Sequence, residues 1–132
     1  MPKWSKTLER FDLSKRINTP VESLSGGERQ KLAILLACIH NPKVIFLDEL
    51  TTGLDPLARK ETWKFIRQLQ EQGSAVILTS HFMDEVETLC QRGIILQNGT
   101  PVAAGSIPEI VELGRAERLE EAYIHIIEGV VA

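Results

Sequence analysis

Acidic and histidine side chains follow two apolar runs of this sequence. Asp48 and Glu49 come directly after VIFL, and His81 comes after AVILTS. Adjacent carboxylates at the end of a buried strand suit a divalent cation with phosphate oxygens. One carboxylate can hold Mg²⁺ through water while the other orients or deprotonates an attacking water, and a histidine nearby could reach the same phosphate. Taken singly, each feature is also compatible with a structural role.

A serine and two glycines precede a long apolar run and form a second candidate site. Ser25 is of the type preferred at helix N-caps, and Gly26 and Gly27 leave the first helical turn without side chains. Such an entrance, with exposed amides and the positive end of the helix dipole, is an anion site that phosphate oxygens can approach closely. The Ser25 hydroxyl would add a donor. The alternative is an ordinary cap and turn without a ligand.

The elements that must position these groups are predicted from the same two apolar runs. Residues 44–49 and 75–81 are bounded by turn signals, which favours strands covered on both faces, as in a parallel sheet. Asp55 as N-cap, Pro56 in the first turn and Gly73 at the end delimit a helix between them. Strand, helix and strand form a βαβ unit of the α/β class with parallel strands, and ligands bind beyond the carboxyl ends of such strands.

The other segments are predicted from periodicity and turn chemistry. The run LAILLACI predicts a buried helix, and Asn98-Gly99 predicts the turn of a β-hairpin. Ser106 and Glu109 have the spacing of a capping box at the start of a further helix. The helical side chains predicted to face inward are Trp4, Leu8, Phe11, Ala58, Thr62, Phe65, Ile66, Leu69, Phe82, Val86, Leu89, Cys90, Leu119, Ala122, Tyr123, Ile126 and Ile127.

Composition narrows the class of protein. The 132 residues carry a net charge of −3, which gives no support to a nucleic-acid-binding surface. Because the longest apolar runs fall short of the roughly 18 residues that a membrane span needs, we expect a soluble, intracellular chain that can still dock on a membrane protein. Cys38 and Cys90 lie in apolar helical stretches, which favours buried thiols over a disulfide or a metal pair.

Four segments, LSGGERQ, VIFLDE, TTGLDP and TSH, occur in the order and spacing of the ATP-binding cassette (ABC) ATPases, and the sequence closely resembles that family. Residues 24–30 resemble the signature motif, usually LSGGQ, with Glu28 where glutamine is common. Residues 44–49 resemble the Walker B strand, residues 53–55 resemble the D-loop, and His81 resembles the switch histidine. Four such motifs in series indicate a shared nucleotide-cleaving function.

The resemblance extends from about residue 21 to residue 105 and implies a partial P-loop NTPase-like α/β fold. On this basis the chain divides into a helical part with the signature helix (1–40), a Walker B and switch-histidine core (41–104) and a C-terminal helical tail (105–132). The tail segment RLEEAYIHII is also similar to the end of cassettes that serve ABC-2-type exporters.

By the same resemblance, ATP and Mg²⁺ are the expected cofactors, and no nucleic acid is expected. The expected partners are a second cassette in a head-to-tail dimer and a transmembrane permease, which would place the chain in the cytoplasm, peripheral to the membrane. The resemblance implies that Asp48 binds Mg²⁺ through water, that Glu49 is the general base and that His81 contacts the γ-phosphate. Asp55 is implied to lie at the dimer interface. The residues implied to bind the γ-phosphate held by the opposite cassette are Ser25, Gly26, Gly27 and Glu28.

The sequence departs from the family pattern in two respects. It contains no Gly-Lys pair, so the phosphate-cradling Walker A loop is absent, and residues 99–106 are the nearest imitation. Leu50 stands where the family usually has proline, and loss of that fixed φ would loosen the turn. Since only residues 1–24 precede Ser25, the chain is expected to be the C-terminal portion of a cassette, inactive as an ATPase by itself.

Three functional hypotheses therefore remain open at this point. The chain is the catalytic C-terminal portion of a transporter ATPase, or a non-hydrolytic partner or regulatory fragment that supplies its signature motif in trans, or an inactive remnant. In each case the strand that bears Asp48 would have an uncovered edge and apolar face, because its neighbours in a complete cassette are missing. We accordingly expect the isolated chain to self-associate.

Overall fold

A computed structural model describes residues 3–131, which form two compact units, residues 3–79 and residues 80–131. The first unit contains helix α1, helix α2, strand β1, helix α3 and strand β2, with two short 3₁₀ turns between α1 and α2. Their bounds are α1 Lys3–Arg10, the turns Ser14–Arg16 and Val21–Ser23, α2 Gly26–Cys38, β1 Val44–Asp48, α3 Pro56–Glu71 and β2 Ala75–Thr79.

Strands β1 and β2 pair in parallel, as the βαβ pattern predicts. The register joins Val44 to Ala75 at one end and Asp48 to Thr79 at the other. The polar residues at the carboxyl ends of both strands therefore meet at one edge of this two-stranded sheet. The prediction of adjacent, parallel strands that both end in reactive side chains is confirmed.

The capping signals that delimit α3 are all used. Asp55 is the N-cap, and its Oδ1 accepts a hydrogen bond from the Ala58 amide at 2.9 Å. Pro56 occupies the first turn, where a missing N–H costs nothing because that donor has no partner inside the helix. Gly73 follows the helix with φ of 97°, a left-handed conformation that L side chains rarely adopt. Both ends of the predicted helix are confirmed.

The core of the first unit joins α1, α2, α3 and β1. The rings of Phe11 and Phe65 meet edge to face with centroids 5.4 Å apart, a geometry that suits the quadrupoles of aromatic rings. Ile66, on the same face of α3, is fully buried. The other buried apolar side chains of this unit are Leu13, Leu24, Ile34, Leu35, Cys38, Ile45, Leu47, Leu50, Ala58 and Leu69.

Three predictions of complete burial are wrong for the described chain. In β2, which was predicted to be a second strand covered on both faces, Ile77 is 51% exposed. In β1, Ile45 and Leu47 are buried while Phe46 is 74% exposed. In α2, Leu35 is buried while Leu36 is 58% exposed. A side chain is buried only where another element packs over it, and within the first unit β1 has such cover on one face. The expected uncovered apolar face is therefore present.

The second unit contains a hairpin and three helices. Their bounds are α4 Met83–Leu89, β3 Arg92–Gln97, β4 Thr100–Ser106, α5 Ile107–Leu113 and α6 Leu119–Ile127. The antiparallel strands turn at Asn98 and Gly99, with φ of 51° and 77°. Positive φ at both central residues is the requirement of a type I′ turn, which explains why Asn-Gly predicts it. Ser106 and Glu109 form the predicted capping box of α5.

The inward face of α4 differs from the prediction. Glu85 and Leu89, one helical turn apart, are buried, with Glu85 at 0% exposure. Phe82, Val86 and Cys90, predicted to face inward, are only half-buried. An apolar pattern predicts which residues can be buried but not how a short helix is rotated against its neighbours, and here packing includes an acid in the buried stripe.

Both cysteines are free thiols. Burial raises the pKa of the Cys38 thiol to about 11, and burial together with the nearby Glu85 carboxyl raises the pKa of Cys90. A raised pKa keeps a thiol protonated and weakly nucleophilic at neutral pH. The expectation of thiols outside a disulfide is confirmed.

No helix within residues 3–131 has the length and apolar character needed to cross a bilayer.

Helices α5 and α6 pack closely at Gly114. A Cβ built on Gly114 would lie 2.4 Å from the Ala122 Cα and 2.9 Å from the Ala122 carbonyl oxygen. Beside this contact, the Nδ1–H of His125 donates to the Gly114 carbonyl oxygen at 2.8 Å. Because the atoms in the way belong to the backbone, a side chain at residue 114 can be accommodated only by moving α6.

We expect Gly114→Ala to destabilise the second unit by about 1–3 kcal/mol, the usual range for overpacking. Amide hydrogen exchange across α5 and α6 measures the change. Gly93→Ala is the matched control, because its Cβ would meet only the flexible ends of Ile107 and Ile110 at 3.4 Å. Equal protection losses in both variants would contradict the close packing at Gly114.

Candidate nucleotide site

The carboxyl end of β1 places Asp48 beside Thr79. The two residues are partners in the strand register, and the Thr79 hydroxyl donates a hydrogen bond to the Asp48 carboxylate. Both residues are exposed at the edge of the sheet. The hydroxyl orients one carboxylate oxygen. The predicted strand end therefore presents a carboxylate that is accessible to solvent and fixed in orientation.

Glu49 begins the loop after β1 with an unusual backbone conformation. Its φ is 48°, in the left-handed region that residues other than glycine seldom occupy. Its amide donates to the Thr79 carbonyl at 3.0 Å and lies 3.2 Å from the Thr79 hydroxyl oxygen. Backbone strain of this kind persists only where surrounding contacts hold it, and it is concentrated at functional sites. The exposed Glu49 carboxylate therefore lies on a turn whose backbone is fixed by hydrogen bonds to Thr79.

The predicted anion site at the start of α2 is built as a capping box. The Ser25 Oγ accepts from the Glu28 amide at 3.1 Å, and the Ser25 amide donates to the Glu28 carboxylate at 2.9 Å. Within residues 3–131, no acceptor is assigned to the amides of Gly26 and Gly27, which stand in the first turn where intrahelical partners do not exist. Ser25 and Gly26 are exposed.

Glu28 forms an ion pair with Arg16. The Arg16 Nε lies 3.0 Å from the Glu28 Oε1. The pKa of Glu28 is held below its usual value chiefly by the hydrogen bond from the Ser25 amide; partial desolvation opposes this effect, and Arg16 and then Lys31 lower the pKa further. Glu28 is therefore a carboxylate at neutral pH, and the Arg16 guanidinium offsets its charge next to the proposed anion site.

Helix α2 contacts the loop that follows β1 at two points. The side-chain amide of Gln30 donates to the carbonyl oxygens of Glu49 and Leu50. A Cβ on Gly27 would lie 3.7 Å from the Leu54 Cδ2 and 3.8 Å from the Gly53 carbonyl oxygen. The signature-like segment, the acid pair and the D-loop-like segment are thus neighbours in the first unit.

The remaining two predicted site residues are placed as follows. Asp55 is exposed in the first unit and caps α3 through the Ala58 amide, so it has a structural role alongside any functional one. His81 lies in the second unit, exposed, ahead of α4, with its ring centroid 4.3 Å from that of Phe82. The structure places the segments that carry the predicted residues of the first unit beside one another and describes His81 in the second unit.

The donor set at the end of β1 fits Mg²⁺ but not a cation held by protein ligands alone. Among residues 3–131, no three side chains of histidine, cysteine, aspartate or glutamate cluster closely enough to hold a metal ion. Mg²⁺ typically keeps several waters and binds one or two carboxylates together with substrate phosphates. The exposed Asp48 carboxylate, oriented by Thr79, matches that requirement.

Sequence reasoning missed Arg16 and Gln30. Arg16 lies in a 3₁₀ turn and Gln30 in the second turn of α2, and each acts on a residue at least twelve positions away. Capping and strand patterns relate neighbours in the chain and carry no information on such contacts. The one available signal for Arg16 was the unusual Glu28, whose charge calls for a nearby cation.

Comparisons with known proteins agree with this geometry. A family model described as "AAA domain, putative AbiEii toxin, Type IV TA system" matches residues 3–83. A Nod factor export ATP-binding protein I from Rhizobium etli is 40% identical over 108 residues, which are 82% of this chain and 34% of that protein. Human ATP-binding cassette sub-family A member 2 is 44% identical over 108 residues, which are 82% of this chain and 4% of that protein.

The fold is also found in solved structures. The ATP-binding subunit of an ABC transporter superposes with a TM-score of 0.86 and 28% identity, covering 94% of this chain and 52% of that one. Parallel strands with acidic carboxyl ends beside a glycine-bearing helix entrance therefore define a P-loop NTPase-like α/β domain. More specifically, the chain belongs to the ABC family of transporter ATP-binding proteins. It spans about a third of the length of its Rhizobium etli relative.

The Arg16–Glu28 ion pair predicts how Glu28 titrates. Arg16→Gln should raise the Glu28 pKa toward its usual value, because the guanidinium no longer stabilises the carboxylate. Since the folded pKa is lowered, the stabilisation by Glu28 is present above the unfolded value and is lost as pH falls through the folded value. Carboxyl ¹³C NMR across an acid titration measures the Glu28 pKa in the parent chain and in the Arg16→Gln variant.

Glu109 is the internal control for this titration. It forms the same capping box with Ser106, and the hydrogen bonds from Ser106 lower its pKa. Arg16→Gln should leave Glu109 unchanged. A shift of both carboxyls together, or of neither, would show that Arg16 does not act on Glu28 as the 3.0 Å ion pair indicates.

Proposed function

We propose that this chain is the catalytic C-terminal portion of an ABC transporter ATPase, which hydrolyses ATP when it is joined to a Walker A half. The observation that carries the proposal is the arrangement of the first unit. Exposed Asp48 ends β1, and exposed Glu49 begins the loop that follows it. Helix α2, whose entrance presents Ser25 and Gly26, contacts that loop through Gln30. Hydrolysis of a triphosphate requires an acid pair and donors for the phosphate oxygens, and the family membership supports these roles.

Asp48 would hold Mg²⁺ through water, with the Thr79 hydroxyl orienting its carboxylate. When bound, Mg²⁺ neutralises charge on the phosphate oxygens during phosphoryl transfer. Glu49 would be the general base that accepts a proton from the hydrolytic water, and its exposed carboxylate is accessible to that water. His81 would contact the γ-phosphate and register its loss.

Ser25, Gly26 and Gly27 would bind the γ-phosphate of ATP held by the opposite cassette. Their amides and the helix dipole would act as preorganised donors toward charge that develops during the reaction. Glu28 would add an unfavourable negative charge at this site, and Arg16 offsets it. Asp55 would lie at the interface between the two cassettes.

The partners we propose follow from these roles. A second cassette would complete the trans site, and a transmembrane permease would hold the pair on the cytoplasmic face of a membrane. Alone, the chain would not hydrolyse ATP, because it has no Gly-Lys pair to cradle the phosphates. The exposed apolar side chains of β1 and β2, Val44, Phe46 and Ile77, would favour self-association of the isolated chain.

The central test is Glu49→Gln in a complete cassette that contains this sequence. We expect turnover to fall by about 10²- to 10⁴-fold, because an amide cannot accept the proton. Binding of Mg-ATP, measured by calorimetric titration, should be nearly unchanged. Glu71→Gln is the matched control, since Glu71 is an exposed carboxylate in the last turn of α3. Turnover that barely moves in Glu49→Gln would rule out Glu49 as the base.

The alternative of a non-hydrolytic partner is not favoured by the relatives, which are ABC transporter ATP-binding proteins, and a direct experiment tests it. The chain would then lend Ser25–Glu28 in trans to a companion cassette that has its own Walker A loop. Added chain should stimulate or inhibit that cassette, and Ser25→Arg should abolish the effect, because the larger cation fills the site at the helix entrance. An ATPase rate unaffected by the added chain would exclude this role.

A further inference from the structure

We infer that Gln30 is a positioning residue for Glu49. The inference rests on the proposed function, because it concerns the residue that would act as the general base. Through Gln30, the helix that carries the signature segment of a cassette would set the backbone geometry of the base in that same cassette. The two catalytic sites of a dimer would then be linked through α2.

The contact matches donors and acceptors one for one. The Gln30 side-chain amide has two N–H donors, and it donates to the carbonyl oxygens of the consecutive residues Glu49, at 3.4 Å, and Leu50. Gln30 is half-buried and Leu50 is 4% exposed. The hydrogen bond to the Leu50 carbonyl is partly shielded from water and is stronger than an exposed one, because the local dielectric is lower, whereas the bond to the Glu49 carbonyl is exposed.

The loop backbone at residues 49 and 50 requires a stabilising contact from outside the β1–β2 sheet. Strand β1 ends at Asp48, so the carbonyls of Glu49 and Leu50 lie beyond the β1–β2 ladder. Glu49 has φ of 48°. Leu50 stands where the ABC ATPases, the family that this sequence resembles, usually have proline, and a proline ring would restrict the backbone at that position. The amide of Gln30 supplies from a neighbouring helix the restraint that residue 50 does not supply.

The same helix begins at the proposed trans site. Ser25 and Gln30 are five residues apart, which is about 7.5 Å along an α-helix. Gly27, between them, packs against the segment of Gly53 and Leu54. Because a helix turn is stiff, a shift of α2 on binding an anion at Ser25 would be passed to the carbonyls that Gln30 holds.

The contact itself is tested on this chain without nucleotide. The Thr52 amide donates to the Glu49 carbonyl at 3.2 Å, so it reports on the loop. Gln30→Leu should accelerate Thr52 amide exchange by about 3- to 10-fold, the effect of losing a typical hydrogen bond. Gln72→Leu is the control, since Gln72 is exposed at the C-terminal end of α3. Unchanged exchange in Gln30→Leu would overturn the inference.

The functional consequence is tested in a complete cassette. Gln30→Leu should lower kcat for ATP hydrolysis by about 10- to 100-fold, the effect of a misplaced catalytic group, and leave KM unchanged. In a Glu49→Gln background the same change should have no further effect, because Gln30 acts through that base. Gln30→Glu, which keeps the size but loses the donors, should behave as Gln30→Leu does and serves if the leucine variant fails to fold.

The outcomes separate the two proposals. A raised KM, or an equal loss of kcat in the Glu49→Gln background, would overturn the positioning role. If Glu49→Gln alone leaves turnover intact, the proposed base is wrong, while the exchange measurement on Thr52 still decides whether Gln30 holds the loop. Faster Thr52 exchange together with a kcat loss that requires Glu49 would establish the inference.

Discussion

The parallel pairing of β1 (Val44–Asp48) with β2 (Ala75–Thr79) is the constraint on which the first unit depends. Its register sets Asp48 against Thr79, and this single alignment lets the Thr79 hydroxyl reach the Asp48 carboxylate and the Thr79 carbonyl accept from the Glu49 amide. A shift by one residue would turn every side chain of the strand to the other face. The acid pair is therefore presented by backbone hydrogen bonding rather than by packing of the acids themselves.

The same strand pair explains the mixture of buried and exposed apolar side chains. Ile45 and Leu47 are buried, whereas Phe46 is 74% exposed. A continuous apolar run is typical of a strand with helices on both faces, and in this chain one of those faces has no cover within the first unit. The chain covers a minor share of its relatives' length.

Charge at the helix entrance is balanced by a residue from another element. The capping box of Ser25 and Glu28 stabilises the start of α2 and keeps the Glu28 carboxylate ionised, which opposes anion binding at the same place. Arg16 supplies the compensating cation at 3.0 Å. Glutamate at a position where the related motif usually has glutamine thus becomes compatible with a phosphate site through one ion pair.

Local patterns were sufficient for the helices, the hairpin and the strand ends. The Asp55 cap and the type I′ turn at Asn98 and Gly99 depend on bonds between residues a few positions apart, and the chain encodes these directly. Which side chains are buried could not be read in this way, as the buried acid Glu85 shows. The contact of Gln30 with the Glu49 loop spans nineteen positions. It exists only once α2 packs against the loop that follows β1, because packing brings distant donors and acceptors within hydrogen-bonding distance.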